Sequence, residues 1–114
     1  MKSLSGRQRY WARSLVGFRL LAHASPGRAH RTLAELEAQG FIEGIITQNV
    51  DRLHQKAGSR RVVDLHGRAD LVRCMQCNLL VRRHVLHDHL ATLNPDWVGT
   101  VSYTHLTLPT ICSV

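Results

Sequence analysis

The sequence predicts an α/β fold with a parallel, Rossmann-like sheet, and three observations lead to it. An amphipathic segment at 29–39 precedes a short apolar run at 41–47, and a polar loop begins directly after that run. A second apolar pair, at 62–63, leads into a histidine-glycine turn at 66–67. Helix, strand and polar loop in this order form the half-unit of a doubly wound fold, in which strand ends present binding groups.

The first part of the chain is predicted to form a helix over residues 7–21. Tyr10, Ser14 and Phe18 recur there at the spacing of one helix face. A Ser-Pro-Gly sequence within residues 23–27 then indicates a turn. We therefore expect a second, separate helix after this turn.

The second helix carries Ala29, Leu33 and Leu36 on one face, and Gly40 stands where a left-handed C-terminal cap belongs. The run 41–47 that follows is rich in isoleucine and almost continuously apolar. Such a run is typical of a strand that is buried on both faces of a parallel sheet. The strand is therefore expected to lie inside the sheet.

The last predicted elements surround a pair of cysteines. Two short apolar segments, 71–73 and 79–81, read as strands on either side of the pair, and residues 84–93 have helical spacing. One face of this helix is predicted to hold three side chains: Val85, His89 and Leu93. An Asn-Pro sequence then ends the helix.

The 114-residue chain is basic, with fifteen Lys and Arg against eight Asp and Glu. Basic clusters can neutralise nucleic-acid phosphates, but these arginines are spread along the chain without interleaved aromatic residues. A nucleic-acid partner is therefore not expected. Three cysteines do not form a disulfide framework, no signal peptide is recognised, and no apolar run approaches the length that spans a bilayer. The expectation is a soluble, cytoplasmic protein with no membrane partner.

Four motifs occur in an informative order: Arg-Gln-Arg-Tyr-Trp-Ala-Arg-Ser (7–14), Thr-Gln-Asn-Val-Asp-Arg-Leu-His (47–54), Leu-His-Gly (65–67) and Cys-Met-Gln-Cys (74–77). Together they resemble the core of a class II-like sirtuin, and the similarity extends over residues 7–97. The resemblance implies a sirtuin catalytic domain with part of a small zinc-binding subdomain. It also implies an NAD-dependent protein-lysine deacylase, which transfers the acyl group of lysine to ADP-ribose and releases nicotinamide.

By the same resemblance, His66 is the catalytic general base that deprotonates a ribose hydroxyl of NAD. Imidazole suits this role because its ordinary pKa, about 6.5, lies close to working pH. Gln48 and Asn49 are expected to border the nicotinamide-ribose pocket, and Asp51 to bind the carboxamide, since amides and carboxylates supply the required donors and acceptors. The alternative is a polar strand-to-loop transition in which Asn and Asp bind nearby backbone.

Cys74 and Cys77 have the spacing of half a tetrahedral zinc site or of a redox pair. In a sirtuin, a second cysteine pair further along the chain completes the site, so two of four expected ligands are present. Two of His84, His87 and His89 could complete it locally instead, although solvated helix histidines are the favoured interpretation.

The chain is expected to be an internal fragment, because the Gly-rich phosphate loop of sirtuins has no counterpart near its start. Residues 1–100 are expected to form a partial catalytic domain, with the zinc-knuckle portion at about 70–97. Residues 101–114 are expected to be a non-native tail, since 101–106 match what a sequencing-adapter end would encode; an ordinary C-terminal strand is the alternative. As an isolated chain it is expected to be inactive.

Two other functions are also compatible with the sequence. The same pocket could catalyse mono-ADP-ribosyl transfer to protein, because the chemistry at the ribose carbon is shared. A protein of a different class, a small basic zinc-binding module that contacts nucleic acid, could use the cysteines and nearby histidines.

Overall fold

The computed structural model describes residues 3–97, which divide into two compact units: residues 21–69, and residues 3–20 together with 70–97. The elements, in chain order, are α1 (Leu4–His23), α2 (Arg28–Ala38), β1 (Ile45–Thr47), α3 (Leu53–Ala57), β2 (Val62–Asp64), β3 (Leu71–Arg73), β4 (Leu80–Arg82), α4 (Arg83–Leu93) and a 3-10 turn (Pro95–Trp97). Within residues 3–97, none of the helices combines the length and apolar character needed to cross a bilayer. The predicted tail at 101–114 lies outside the described residues.

The unit of residues 21–69 contains the predicted parallel sheet. Strands β1 and β2 pair in parallel, with Ile45 opposite Val62 and Thr47 opposite Asp64. Helix α2 ends before Gly40, whose φ of 80° gives the left-handed turn expected there. The short helix α3, which the sequence reading treated as loop, packs against α2. The α/β prediction is therefore confirmed, with one helix added.

The prediction that this strand is buried on both faces is wrong. Ile46 is 72% exposed, and its neighbours on the same face of the sheet, Val63 and Leu65, are more than half exposed. Side chains alternate between the two faces of a strand, so Ile45 and Thr47 lie on the opposite face and are partly covered. An apolar run is buried on both faces only where other elements cover both faces, and within residues 3–97 the face that carries Ile46 stays largely exposed.

The other unit holds the apolar core of the described residues. Its buried members are Trp11, Ala12, Leu15, Leu86 and Leu90. Strands β3 and β4 pair antiparallel on either side of the cysteines, as predicted.

The helical spacing predicted for this unit is present, and the fully buried side chains lie beside the residues that showed it. Helix α1 buries Trp11, Ala12 and Leu15, whereas Tyr10 is half exposed and Phe18 is partly covered. Helix α4 buries Leu86 and Leu90, whereas Val85 is half exposed. On each helix more than one face carries apolar residues at helical spacing, and packing against the other elements decides which side chains are buried.

Arg83 is buried in this unit although it carries a charge. Its guanidinium lies 4.9 Å from the ring centre of Trp11 and 4.7 Å from that of Phe18. It also donates to the backbone carbonyl and the hydroxyl of Ser14, at 3.0 and 2.9 Å. Burial lowers the pKa of Arg83, and stacking between two aromatic rings offsets part of that desolvation.

Candidate functional site

The candidate site lies at the carboxyl edge of the parallel sheet. Because β1 and β2 run in the same direction, the loop after Thr47 and the turn after Asp64 leave from the same edge. The Leu65 N–H donates to the Thr47 carbonyl at 2.9 Å, which continues the pairing one step beyond the strands. The Ala69 N–H then donates to the Val50 carbonyl at 2.9 Å, so the two polar segments are tied together.

The first polar segment presents Gln48 and Asn49 to solvent. The backbone N–H of Asn49 donates to the Thr47 hydroxyl at 3.0 Å, which fixes the start of the loop and leaves the Asn49 side-chain amide outside that bond. Asp51 is half-buried, and its carboxylate accepts the Leu53 N–H at 2.9 Å at the start of α3. Asp51 therefore has a structural bond of the kind that an Asx turn makes, and its carboxylate has acceptor capacity beyond that one bond.

The second polar segment presents His66, whose side chain is exposed. Gly67 follows it with a φ of 76°, and its N–H donates to the Asp64 carbonyl at 3.3 Å. A Cβ built on Gly67 would meet no atom within 4 Å, so the positive φ, and not a lack of space, favours glycine here. The backbone therefore changes direction immediately after His66.

Behind these segments lies an ion pair between Arg52 and Asp64. The Gln55 amide donates to both oxygens of the same carboxylate, at 3.1 and 3.3 Å. Arg52 has a φ of 63°, a left-handed conformation that costs a residue with a Cβ roughly 1–2 kcal/mol. The polar contacts of its side chain help to offset that cost.

The cysteine pair lies between β3 and β4. Cys74 is buried and Cys77 is exposed, and the backbone N–H groups of Gln76 and Cys77 point at the Cys74 sulfur, at 3.4 and 3.5 Å. Such donors favour a thiolate, the form that binds zinc. Within residues 3–97, however, no three His, Cys, Asp or Glu side chains come together as metal ligands. Two thiolates fit half of a tetrahedral zinc site, and the described residues do not complete it.

The local alternative, in which nearby histidines complete the zinc site, gains no support from the structure. His84 and His89 are exposed. His87 instead packs on Phe18, with ring centres 5.4 Å apart. Burial lowers the pKa of His87, and the charge of nearby Arg83 lowers it further.

Comparison with known proteins decides the family. The model of the Sir2 family matches residues 2–103, which is most of the chain. The chain belongs to the Sir2 family.

Curated members of the Sir2 family extend well beyond the matched segment. The NAD-dependent protein deacetylase of Xanthomonas axonopodis pv. citri is 55% identical over 99 residues, which cover 87% of this chain and 34% of that protein. NAD-dependent protein deacetylase 2 of Bradyrhizobium diazoefficiens is 54% identical over 93 residues, or 82% of this chain and 34% of that protein. The chain thus spans about a third of the length of the curated relatives it matches.

Solved Sir2 structures share the fold. A mutant Sir2 homologue in complex with ADP-ribose aligns with a TM-score of 0.63 at 40% identity, covering 66% of this chain and 30% of that one. A complex of Sir2 with a p53 peptide and NAD⁺ aligns at 0.61 and 34% identity, covering 77% of this chain and 36% of that one. The resemblance predicted from the four motifs is therefore confirmed, together with the partial Rossmann-like fold.

Sequence reasoning missed the network behind the Sir2 motifs. It named Gln48, Asn49, Asp51 and His66, which the parallel sheet brings to one edge, but not the charged pair that joins their segments. One signal could have found that pair: Asp64 is an acidic residue at the end of an otherwise apolar strand. Such a residue needs a partner when it is partly buried.

Proposed function

We propose that the protein containing this chain is an NAD-dependent protein-lysine deacylase. One observation carries the proposal: the motif segments 48–51 and 65–67 leave the same edge of a parallel sheet, where α/β proteins bind their ligands. Membership of the Sir2 family and the names of the curated relatives support the same reaction.

In the proposed reaction, NAD supplies a ribose carbon that accepts the acyl oxygen as nicotinamide leaves. His66 is the general base that takes the proton of a ribose hydroxyl, and its exposed imidazole is accessible for this step. Gln48 and Asn49 hold ribose hydroxyls through their amides, which add no charge. Asp51 accepts a hydrogen bond from the nicotinamide carboxamide while its bond to the Leu53 N–H keeps it oriented.

The proposed substrate is a protein that carries an acyl-lysine. One solved relative is described as Sir2 bound to acetylated peptide; it aligns with a TM-score of 0.58 at 34% identity, over 78% of this chain and 37% of that one. We further propose that Cys74 and Cys77 provide two of four zinc ligands. The N–H groups directed at the Cys74 sulfur support that role.

A graft tests the catalytic assignment. Residues 7–97 would replace the matching segment of the Xanthomonas axonopodis deacetylase, and deacylation of an acetyl-lysine peptide would be measured with and without NAD. We expect NAD-dependent turnover and formation of acyl-ADP-ribose. His66→Ala should reduce kcat by about 10²–10⁴-fold, the usual contribution of a general base.

His84→Ala is the matched control, because it removes an exposed histidine outside the proposed site. Full activity in the His66→Ala graft would refute the assignment of the base. ADP-ribosylated protein in place of acyl-ADP-ribose would refute the deacylase reaction.

A further inference from the structure

Asp64 connects two segments of the proposed site although it belongs to none of the motifs. It ends strand β2, two residues before His66, and its side chain is only 15% exposed. The guanidinium of Arg52, which comes twelve residues earlier and directly follows Asp51, forms an ion pair with its carboxylate. Gln55 adds two further contacts to the same carboxylate from α3. The Asp64 carboxylate is therefore bonded both to Arg52, just after the first polar segment, and to Gln55 in the helix that follows.

The contacts of Asp64 hold a part of the chain, after Val50, that the backbone hydrogen bonds between the two segments do not hold. Those bonds join Leu65 to Thr47 and Ala69 to Val50, so they hold the strand ends and the middle of the loop. The chain beyond Val50 turns through the left-handed conformation of Arg52 into α3. The side chains of Arg52 and Gln55 then tie this turn to strand β2.

We propose that Asp64 is a positioning residue of the Sir2 site. Through Arg52 and Gln55 it fixes the placement of Asp51 relative to His66, and so the geometry in which the nicotinamide-ribose end of NAD is held. This inference rests on the proposed function. It adds to that function a residue that touches neither the cofactor nor the substrate.

The conformation of Arg52 allows positioning to be separated from stability. Arg52→Gly removes the ion pair but also relieves the left-handed strain, so the losses and gains in stability oppose each other. Asp64→Asn removes the charge at the other end of the same pair. Glu37→Gln is the matched structural control. The Glu37 carboxylate accepts the N–H groups of Arg60 and Arg61, which directly precede strand β2, so its contacts lie at the opposite end of that strand from Asp64.

In the graft with the Xanthomonas axonopodis deacetylase, Asp64→Asn and Arg52→Gly should each raise the KM for NAD by about tenfold, roughly the effect of losing one hydrogen bond. The KM for the acyl peptide should stay unchanged, and Arg52→Lys should recover part of the loss because it keeps the charge. Glu37→Gln should leave the KM for NAD unchanged even if it lowers the melting temperature. An unchanged KM for NAD in both Asp64→Asn and Arg52→Gly would overturn the proposal, as would an equal rise in Glu37→Gln.

A measurement without catalysis keeps the inference distinct from the proposed function. In the 114-residue chain, the amide NMR signals of residues 48–51 and of 65–67 should both shift on Arg52→Gly, although Arg52 is a neighbour in sequence of the first range only. Glu37→Gln should leave both sets of signals in place. If Arg52→Gly moves only the signals of residues 48–51, the two segments are not coupled through Asp64 and the proposal fails. An inactive graft would refute the function while these spectra still test the positioning.

Discussion

The two units of this chain are stabilised by different forces. Every buried apolar side chain of the described residues lies in residues 3–20 and 70–97, around Trp11 and Leu90. Residues 21–69, which carry the candidate site, depend on short polar contacts such as those of Glu37 and Asp64. A binding edge lined by polar groups leaves little apolar surface to bury, so charge-assisted hydrogen bonds supply the local order. The site should therefore depend on its charged contacts, and the other unit chiefly on side-chain volume, with the partly buried His87 adding a response to acid there.

The largest expected effect is in the apolar unit. Leu90 is 1% exposed, so Leu90→Ala should leave a cavity and reduce the free energy of unfolding by about 2–5 kcal/mol. Denaturant unfolding of the 114-residue chain measures this value. Leu20→Ala is the control on a side chain that is 77% exposed, and it should change little. Equal losses in the two variants would contradict the comparison.

A smaller loss of stability is expected as the pH falls, and it should begin in the apolar unit. Burial, followed by the charge of Arg83, lowers the pKa of His87 from 6.5, while Asp88 opposes and Arg19 adds to this shift. A lowered pKa in the folded chain means that the stabilising contribution is present above pH 6.5 and is lost as the pH falls through the folded value. Hydrogen exchange of α4 between pH 7.5 and 5 should therefore show growing local opening. His87→Asn should remove that dependence, whereas His84→Asn should keep it.

The site-bearing unit should respond only at lower pH. Hydrogen bonds from the Arg61 and Arg60 backbone N–H groups lower the pKa of Glu37 below 4.5. The stability that this carboxylate provides is present above pH 4.5 and is lost as the pH falls through the lowered value. In Glu37→Gln the protection of the Arg60 and Arg61 amides, measured against their intrinsic exchange rate at each pH, should become independent of pH over this range. Persistence of the wild-type dependence would show that another group is responsible.

The smallest effect is expected on the open face of the sheet. Ile46 is 72% exposed, so Ile46→Thr should change the free energy of unfolding by less than about 0.5 kcal/mol. Thermal unfolding of the two chains, side by side, measures it. A loss above about 1 kcal/mol would mean that this face is covered, as the apolar run alone had predicted.

Local pattern was sufficient to predict most elements of the chain. Helical spacing indicated α1, α2 and α4, and the apolar segments 71–73 and 79–81 indicated the strands around the cysteines, the second of which begins one residue later than predicted. Local pattern did not indicate α3, because Leu53–Ala57 begins within the polar motif at 47–54 and is too short to show a period. It also did not indicate which face of α1 or α4 would be buried, since Tyr10 and Val85 fit the spacing as well as the residues that packing buried.

The sequence by itself determined the family and the residues expected to do the chemistry, because motif order and spacing are properties of the chain alone. Only the tertiary structure could decide that parallel pairing brings His66 and the Asp51 segment to one edge, and that Asp64 meets Arg52 and Gln55 there. The physical reason is distance along the chain. Hydrogen bonds and ion pairs act over a few ångströms, and which distant residues come within that range depends on how the strands pair and the helices pack.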